Sequence, residues 1–288
     1  KRYSNTFKNV RWIKYDLLED HIPDDLLKNI DVIIHLAGLA HVTKKNKSYE
    51  IYKKSNVEGT LKLAQKAAGE GVKQFIFVSS IKVNGERTEE SSDIYPDKFT
   101  ETDKPAPIDF YAKSKYEAES EVIKICQQSA MKYTIFRPPL IFGPGVKANF
   151  LALIKLVDIG VPLPLAKVNN KRSMIFVDNF SHVICCSINN KKAENKLFLV
   201  KDGDYSTVDL IRMFAKILGK KIYLFPMPVK LLKSFNGLGE YGRKINKLTE
   251  SLVLDDSLIR RTIDLGPNLL FPDSIKRTVD WYKSNFNE

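Results

Sequence analysis

Short apolar runs rich in valine, isoleucine and phenylalanine alternate along this chain with longer segments of helical period. The apolar runs predict strands at Val10–Tyr15, Val32–Leu36, Gln74–Val78 and Tyr133–Arg137. The helical segments between them, near Tyr49–Gly69 and Phe110–Ala130, are long enough to carry right-handed crossover connections. This alternation predicts an α/β fold with a doubly wound parallel sheet.

The pattern changes after the turn Gly143-Pro144-Gly145, where helices become more frequent than strands. Helices are predicted at Ala148–Ile159, Thr207–Leu218, Val229–Phe235, Ser257–Ile263 and Pro272–Phe286, with a strand at Ser173–Val177 that leads into a further helix. We therefore expect a dinucleotide-binding domain from residues 1–144 and 171–202. Residues 145–170 and 203–288 are expected to form a smaller, mainly helical substrate lobe, with a cleft between the two.

One expected feature is missing from the first part of the chain. A doubly wound dinucleotide domain opens with a strand, a glycine-rich turn and a helix, and no Gly-x-Gly-x-x-Gly follows an early strand here. The first strand resembles the third strand of such a domain. We therefore expect a βαβ unit of about 30 to 40 residues upstream, and we expect the chain as written to bind dinucleotide poorly.

Composition narrows the class of protein. Of the 288 residues, 43% are hydrophobic and 28% charged, as in a globular enzyme. The net charge is +12, but the lysines are scattered and no binding motif accompanies them, so no nucleic-acid partner is expected. The three cysteines lack metal-ligand spacing, so no metal site is expected. No apolar run is long enough for a membrane span and no secretion signal is present, so a cytoplasmic location is expected.

The strongest chemical signal is the segment Tyr111-Ala-Lys-Ser-Lys115, which places a phenol and an ammonium one helical turn apart. A free tyrosine has a pKa near 10, and a neighbouring positive charge favours the phenolate that proton exchange requires. Tyr49 and Lys53 have the same spacing, so spacing alone is weak. The Tyr111 pair, however, is preceded by a buried strand that ends in Ser79-Ser80, at the sheet edge where ligands of such folds bind.

Three segments together resemble the extended short-chain dehydrogenase/reductase family, in particular its NAD-dependent epimerase/dehydratase members such as the UDP-glucose 4-epimerases. They are Val78-Ser-Ser-Ile-Lys-Val-Asn-Gly85, the Tyr111 and Lys115 pair, and Arg137-Pro-Pro-Leu-Ile-Phe-Gly-Pro-Gly145. The likeness covers nearly the whole chain and implies a Rossmann-like fold, truncated at its N-terminus. Asn84 departs from the pattern, because the family has a tyrosine there.

The resemblance implies roles for individual residues. The implied catalytic residues are Ser80, Tyr111 and Lys115. The implied cofactor-binding residues are Asp16, Leu17, Leu36, Ala37, Gly38, Asn56, Ser79, Tyr111, Lys115, Pro138 and Pro139, and the implied substrate-binding residues are Ser80, Lys82, Asn149, Arg172 and Arg243. Taken singly, several have simpler readings: Gly38 as a turn, Asn56 as a helix cap, Arg172 as basic surface and Lys82 as a solvent-facing lysine.

The resemblance implies an enzyme that uses NAD at C4 of a UDP-hexose or UDP-N-acetylhexosamine, most similar to a UDP-glucose 4-epimerase and expected to form a homodimer. NADP stays open, because the residue that selects between the two lies in or near the absent segment. One alternative is a 4-keto reductase of a UDP-6-deoxy-N-acetylhexosamine, which would consume cofactor stoichiometrically. Another is a non-catalytic dinucleotide-sensing protein that retains the fold.

Overall fold

The computed structural model describes residues 9–16, 18, 22–40, 48–89, 97–234 and 240–286, without the side chains of residues 240, 241, 243 and 244. The strands are β1 (Val32–His35), β2 (Gln74–Val78), β3 (Lys132–Arg137), β4 (Leu140–Phe142), β5 (Arg172–Phe176), β6 (Lys196–Leu199) and β7 (Gly203–Tyr205). The helices are α1 (Tyr49–Tyr52), α2 (Gly59–Gly69), α3 (Phe110–Gln127), α4 (Ala148–Ile159), α5 (Val177–Ser187), α6 (Thr207–Leu218), α7 (Val229–Lys233), α8 (Glu240–Thr249), α9 (Ser257–Thr262) and α10 (Phe271–Phe286).

A parallel sheet in the order β1-β2-β3-β6 forms the centre of the first domain. Strand β2 is apolar along its length because both of its faces are covered, and Phe75, Ile76 and Phe77 are fully buried. Helices α2 and α3 cover one face through small residues such as Ala64 and Ala118. Helix α5 covers the other face. The doubly wound α/β fold expected from the pattern is therefore confirmed.

The Tyr49–Gly69 segment is helical throughout but not uniform. A π-helical turn at Lys53–Glu58 separates α1 from α2. π-helical turns inside α-helices are rare and occur often at functional sites. Here the turn carries Asn56, one of the residues expected to contact the cofactor.

The prediction of a strand at Val10–Tyr15 is wrong. Residues 10–15 have no strand structure, and Val10, Trp12 and Ile13 are exposed. A strand requires a hydrogen-bonded neighbour, and in the described part of the chain the sheet ends at β1.

Most of the remaining elements form a second body around its own core, whereas α9 packs against the central sheet. Strands β4, β5 and β7 make a three-stranded mixed sheet that packs with α4, α6 and α10 around Phe142, Phe176 and Phe214. Strand β5 matches the one expected near Ser173–Val177, but it pairs with β4 and β7 rather than with the central sheet. Helix α8 has no counterpart in the sequence prediction. Among the described helices, none combines the length and apolarity that a membrane crossing requires.

Candidate active site

Ser80 lies at the carboxyl edge of the central sheet, directly after β2. The strand pairing continues past β2, because Ser79 N donates to Phe136 O at 2.8 Å and Ile81 N donates to Pro138 O at 3.0 Å. The chain then turns into a 3-10 helix, Ile81–Val83, and the Ser80 Oγ accepts from Lys82 N at 3.3 Å. Ser80 is therefore held at the edge where open α/β sheets bind ligands.

Tyr111 is the second residue of α3, and its hydroxyl lies near that of Ser80. The helix begins at Asp109, whose Oδ1 accepts from Ala112 N at 2.7 Å and so caps the first turn. Burial has the largest effect on the pKa of Tyr111 and raises it, and the charge of Asp109 raises it further. The charge of Lys82 and the interaction with the Ser80 hydroxyl lower it. The net pKa is raised. The structure thus brings together the phenol and the alcohol that the sequence singled out.

Lys115 is buried one helical turn beyond Tyr111. Its Nζ donates to Val78 O at 2.8 Å and lies 4.6 Å from the centre of the Phe77 ring. Burial lowers the pKa of Lys115 to about 8, although Glu119 acts in the opposite direction. The cation whose charge lowers the pKa of Tyr111 is Lys82, whereas the sequence predicted this role for Lys115.

Asn56 joins the loop after β1 to helix α3. Its Oδ1 accepts from Leu39 N at 2.6 Å, and its Nδ2 donates to Leu39 O at 3.1 Å and to Ser114 Oγ at 2.9 Å. Gly38 lies in this loop directly before Leu39, and a Cβ there would lie 3.2 Å from both the Asn56 Oδ1 and the Lys115 Nζ, which is a tight contact. Asn56 is therefore a buried side chain that connects the loop to α3 rather than a helix cap.

The other expected cofactor residues lie at the same sheet edge or in the first segment. Leu36 and Ala37 are exposed directly after β1, and Pro138 and Pro139 are buried directly after β3. Asp16 is exposed, and its Oδ1 accepts from Leu18 N at 2.9 Å. Leu17 lies outside the described residues.

Lys82 is neither a free pocket lysine nor a solvent-facing one. Its Nζ donates to Asp109 Oδ2 at 2.5 Å and to Glu86 Oε1 at 2.7 Å. Burial lowers the pKa of Lys82, but the hydrogen bonds to the two carboxylates outweigh this, and the net pKa is raised. Neither Asp109 nor Glu86 was predicted as a site residue. An aspartate just before an amphipathic helix is an N-cap signal that could have identified the first of them.

On the substrate side, Arg172 is partly buried at the start of β5 and is not simple basic surface. Its Nη1 donates to Glu250 O at 3.1 Å. Burial lowers the pKa of Arg172, and the carboxylates of Glu250 and Glu86 act against this. Partial burial and the positive charges of Lys82 and Arg172 lower the pKa of Lys247 in α8, which places a third cation near this side. Lys247 was missed because α8 was missed.

Two expected substrate residues are less well connected to this group. Asn149 is the second residue of α4 and is half-buried. Arg243 lies in α8, and its side chain is outside the described part of the structure.

Asn84, which departs from the resemblance, has a defined place. Its Oδ1 accepts from Arg137 Nη1 at 2.8 Å, and its Nδ2 donates to Thr100 O at 2.9 Å. Arg137 also forms a two-pronged ion pair with Glu119 of α3, at 2.9 and 2.6 Å. The amide therefore completes a buried polar network that links α3, β3 and the loop after the Ser80 turn.

The chain is similar in sequence to known proteins. The model of the NAD dependent epimerase/dehydratase family matches residues 1–200. A UDP-glucose 4-epimerase of Vibrio cholerae is 39% identical over 257 residues, which cover 88% of this chain and 77% of that protein. An N-acetyl-alpha-D-glucosaminyl-diphospho-ditrans,octacis-undecaprenol 4-epimerase of Escherichia coli O157:H7 is 27% identical over 80% of this chain and 67% of its own length.

Solved structures share the fold at lower identity. A dTDP-glucose 4,6-dehydratase from Streptomyces venezuelae with NAD and TYD bound superposes with a TM-score of 0.75 at 20% identity, over 99% of this chain and 83% of that one. A UDP-glucose 4-epimerase from Thermotoga maritima with UDP-glucose gives a TM-score of 0.74 at 20% identity, over 98% and 87%.

Proposed function

Because the chain belongs to the NAD dependent epimerase/dehydratase family, whose enzymes act on nucleotide-sugars, we propose that it interconverts the C4 epimers of a UDP-hexose or UDP-N-acetylhexosamine. Both relatives described above carry 4-epimerase names, and the more similar one is named for a UDP-sugar. The proposal therefore places the reacting carbon at C4 and the nucleotide as UDP.

The observation that carries the proposal is that the hydroxyls of Ser80 and Tyr111 lie near each other at the carboxyl edge of the sheet. In the proposed reaction, the Tyr111 oxygen takes the proton of the sugar C4 hydroxyl and later returns it, while Ser80 hydrogen-bonds to the same sugar oxygen. A positioned acid/base of this kind contributes about 10² to 10⁴ in rate. The raised pKa of Tyr111 means that this pair needs added positive charge before the phenol ionises at neutral pH.

The residues around Lys115 fit a dinucleotide cofactor. The Ser79 Oγ is buried and has no hydrogen-bond partner among the described residues, so a bound group can take that bond. Gly38 leaves space beside Asn56 and Lys115 that a Cβ would fill. We propose that these four residues contact NAD, which when bound supplies the hydride acceptor for C4. NADP remains an alternative.

We propose that the substrate diphosphate lies toward Arg172. A guanidinium suits phosphate because it offers several donors in a planar array. Arg172 is held by the Glu250 carbonyl, and Lys247 adds positive charge nearby.

The test is to incubate the complete protein with UDP-glucose and with UDP-N-acetylglucosamine, with and without added NAD. Proton NMR of the products is expected to reveal the C4 epimer, with no net change in absorbance at 340 nm. Stoichiometric oxidation of NADPH or NADH with a 4-keto-6-deoxy sugar nucleotide, and no epimer, would instead support the keto reductase.

Tyr111→Phe is expected to lower turnover by about 10² to 10⁴ while UDP-sugar binding, measured by calorimetry, is retained. Tyr49→Phe is the matched control, because Tyr49 and Lys53 have the same spacing but the Tyr49 hydroxyl bonds to Glu117. Wild-type turnover in Tyr111→Phe would reject the assignment. A non-catalytic sensor would bind dinucleotide and turn over neither sugar.

A further inference from the structure

Lys82 connects the two segments that carry the proposed proton-transfer groups. It lies in the short 3-10 helix that follows Ser80, whereas Asp109 belongs to the start of α3, two residues before Tyr111. The ammonium of Lys82 donates to Asp109 Oδ2 at 2.5 Å. The distance between the Ser80 turn and the first turn of α3 is therefore fixed by an ion pair.

Asp109 uses both of its oxygens at this junction. Oδ1 accepts from Ala112 N at 2.7 Å and begins the helix, while Oδ2 binds Lys82. A carboxylate with two separate bonds of this kind has one preferred orientation. A change in the Lys82 contact is thus transmitted to the helical turn that holds Tyr111.

We propose that Lys82 is a positioning residue for the proposed epimerase reaction: its ion pair with Asp109 holds the start of α3, and with it Tyr111, beside the Ser80 turn. The inference rests on the proposed function. It assigns to Lys82 a role different from the sugar contact that the sequence suggested. Among the described residues two carboxylates accept from the three-donor ammonium, so a sugar contact is one of the outcomes that the test distinguishes.

The charges around Tyr111 explain why Lys82 matters. Lys82 and Asp109 act on Tyr111 with opposite signs, and Glu86 shares the Lys82 ammonium. Lys115 lies on the same helix but donates to the Val78 carbonyl, and Lys247 approaches from α8. Removal of the Lys82 charge would leave the carboxylate of Asp109 uncompensated near the phenol, which would disfavour a phenolate.

The experiment compares Lys82→Met, Lys82→Arg and Asp109→Asn in the complete protein. Asparagine is as good an N-cap as aspartate, so Asp109→Asn removes the charge and keeps the start of α3. Lys113→Met is the control, because Lys113 is exposed on the same helix and lies over the Tyr49 ring. The readouts are kcat, KM, their pH profiles, and the titration of Tyr111 by NMR of ¹³Cζ-labelled tyrosine, assigned with Tyr111→Phe.

Lys82→Met is expected to lower kcat on the order of 10²-fold with KM little changed, because the proton-transfer groups lose their alignment. It is also expected to raise the pKa of Tyr111 and to move the ascending limb of the kcat profile to higher pH. Lys82→Arg should restore most of kcat. Asp109→Asn should lower the pKa of Tyr111, since it removes a negative charge and leaves Lys82 in place.

Three results would overturn the inference. A rise in KM with unchanged kcat and pH profile would make Lys82 a substrate ligand. A fall in kcat together with the thermal midpoint, with no change in the Tyr111 titration, would make its role purely structural. An effect of Lys113→Met equal to that of Lys82→Met would make it a general charge effect. The NMR titration needs no substrate, so failure of this inference is distinguishable from failure of the proposed epimerase activity.

Discussion

His35, at the end of β1, is a buried histidine that must stay neutral in the folded protein. Its Nε2 is hydrogen-bonded to the Thr60 Oγ1 at 2.9 Å, and its ring stacks on Phe77. Burial, and then the positive charge of Lys115, lower the pKa of His35 to about 3. This residue therefore links the stability of the site to pH.

How pH changes the free energy of unfolding follows from the protonation of His35 in the folded and the unfolded chain. Below pH 6.5 the unfolded chain protonates His35, whereas the folded chain does not until about pH 3. The free energy of unfolding thus falls as pH falls through this window. We expect His35→Gln, which cannot titrate, to lose about 2 kcal/mol less stability than wild type between pH 7 and pH 5. Urea unfolding at the two pH values measures this, and identical pH dependence in both proteins would contradict it.

At the residue scale, the sequence predicts only part of the site. The positions of Ser80 and Tyr111 in the fold were predictable, because each lies next to or within a recognisable strand or helix. The contacts of Lys82 with Asp109 and Glu86 could not be predicted, because they depend on how the chain folds after Ser80, which no periodicity in the sequence specifies.

At the scale of elements, the buried ion pair of Arg137 and Glu119 joins β3 to α3, the helix that carries Tyr111 and Lys115. Both side chains are at most 4% exposed. Removing one partner of a buried pair leaves an uncompensated charge, which costs about 3 to 5 kcal/mol, whereas replacing both with apolar residues is often nearly neutral.

We therefore expect Glu119→Gln to lower the free energy of unfolding by about 3 kcal/mol or more, and the double variant Glu119→Leu with Arg137→Met to recover most of the loss. Urea unfolding with far-UV circular dichroism measures both. Lys276→Ala is the matched control, because its pair with Asp280 is exposed and is worth less than about 1 kcal/mol. Equal losses in the single and double variants would show that packing of the long side chains, rather than the unpaired charge, sets the cost.

Elements were predictable where local pattern and tertiary setting agree. Strand β2 was predicted to the residue, because a continuous apolar run fits a strand covered on both faces. The prediction of a strand at Val10–Tyr15 was wrong, because a segment forms a strand only where a neighbouring strand can hydrogen-bond to it. The π-helical turn around Asn56 was not foreseen, because it shares the helical period with its flanks.

At the scale of the whole molecule, the segment Ser251–Asp255 connects the central sheet to the second body. On one side, Phe99 N donates to Val253 O at 2.9 Å and Asp255 N to Phe99 O at 2.8 Å. On the other side, Ser173 N donates to Leu252 O at 2.9 Å, next to the start of β5. The segment is thus hydrogen-bonded both to the loop after β2 and to the second sheet, and this contact between distant parts could not be predicted from local sequence.

Leu254 is one of two fully buried residues of this segment, with Val253, and it packs in one cluster with Ile81 of the Ser80 turn and Leu199 of β6. Truncation to alanine leaves a cavity between this segment and the central sheet, and such core changes cost about 2 to 5 kcal/mol. We expect Leu254→Ala to lower the urea midpoints of far-UV circular dichroism and of Trp281 fluorescence together, in a Trp12→Phe background. Leu270→Ala, at a site 70% exposed, should change stability by less than about 0.5 kcal/mol. If only one probe shifts, the two bodies unfold separately, and the Ser251–Asp255 segment does not couple them.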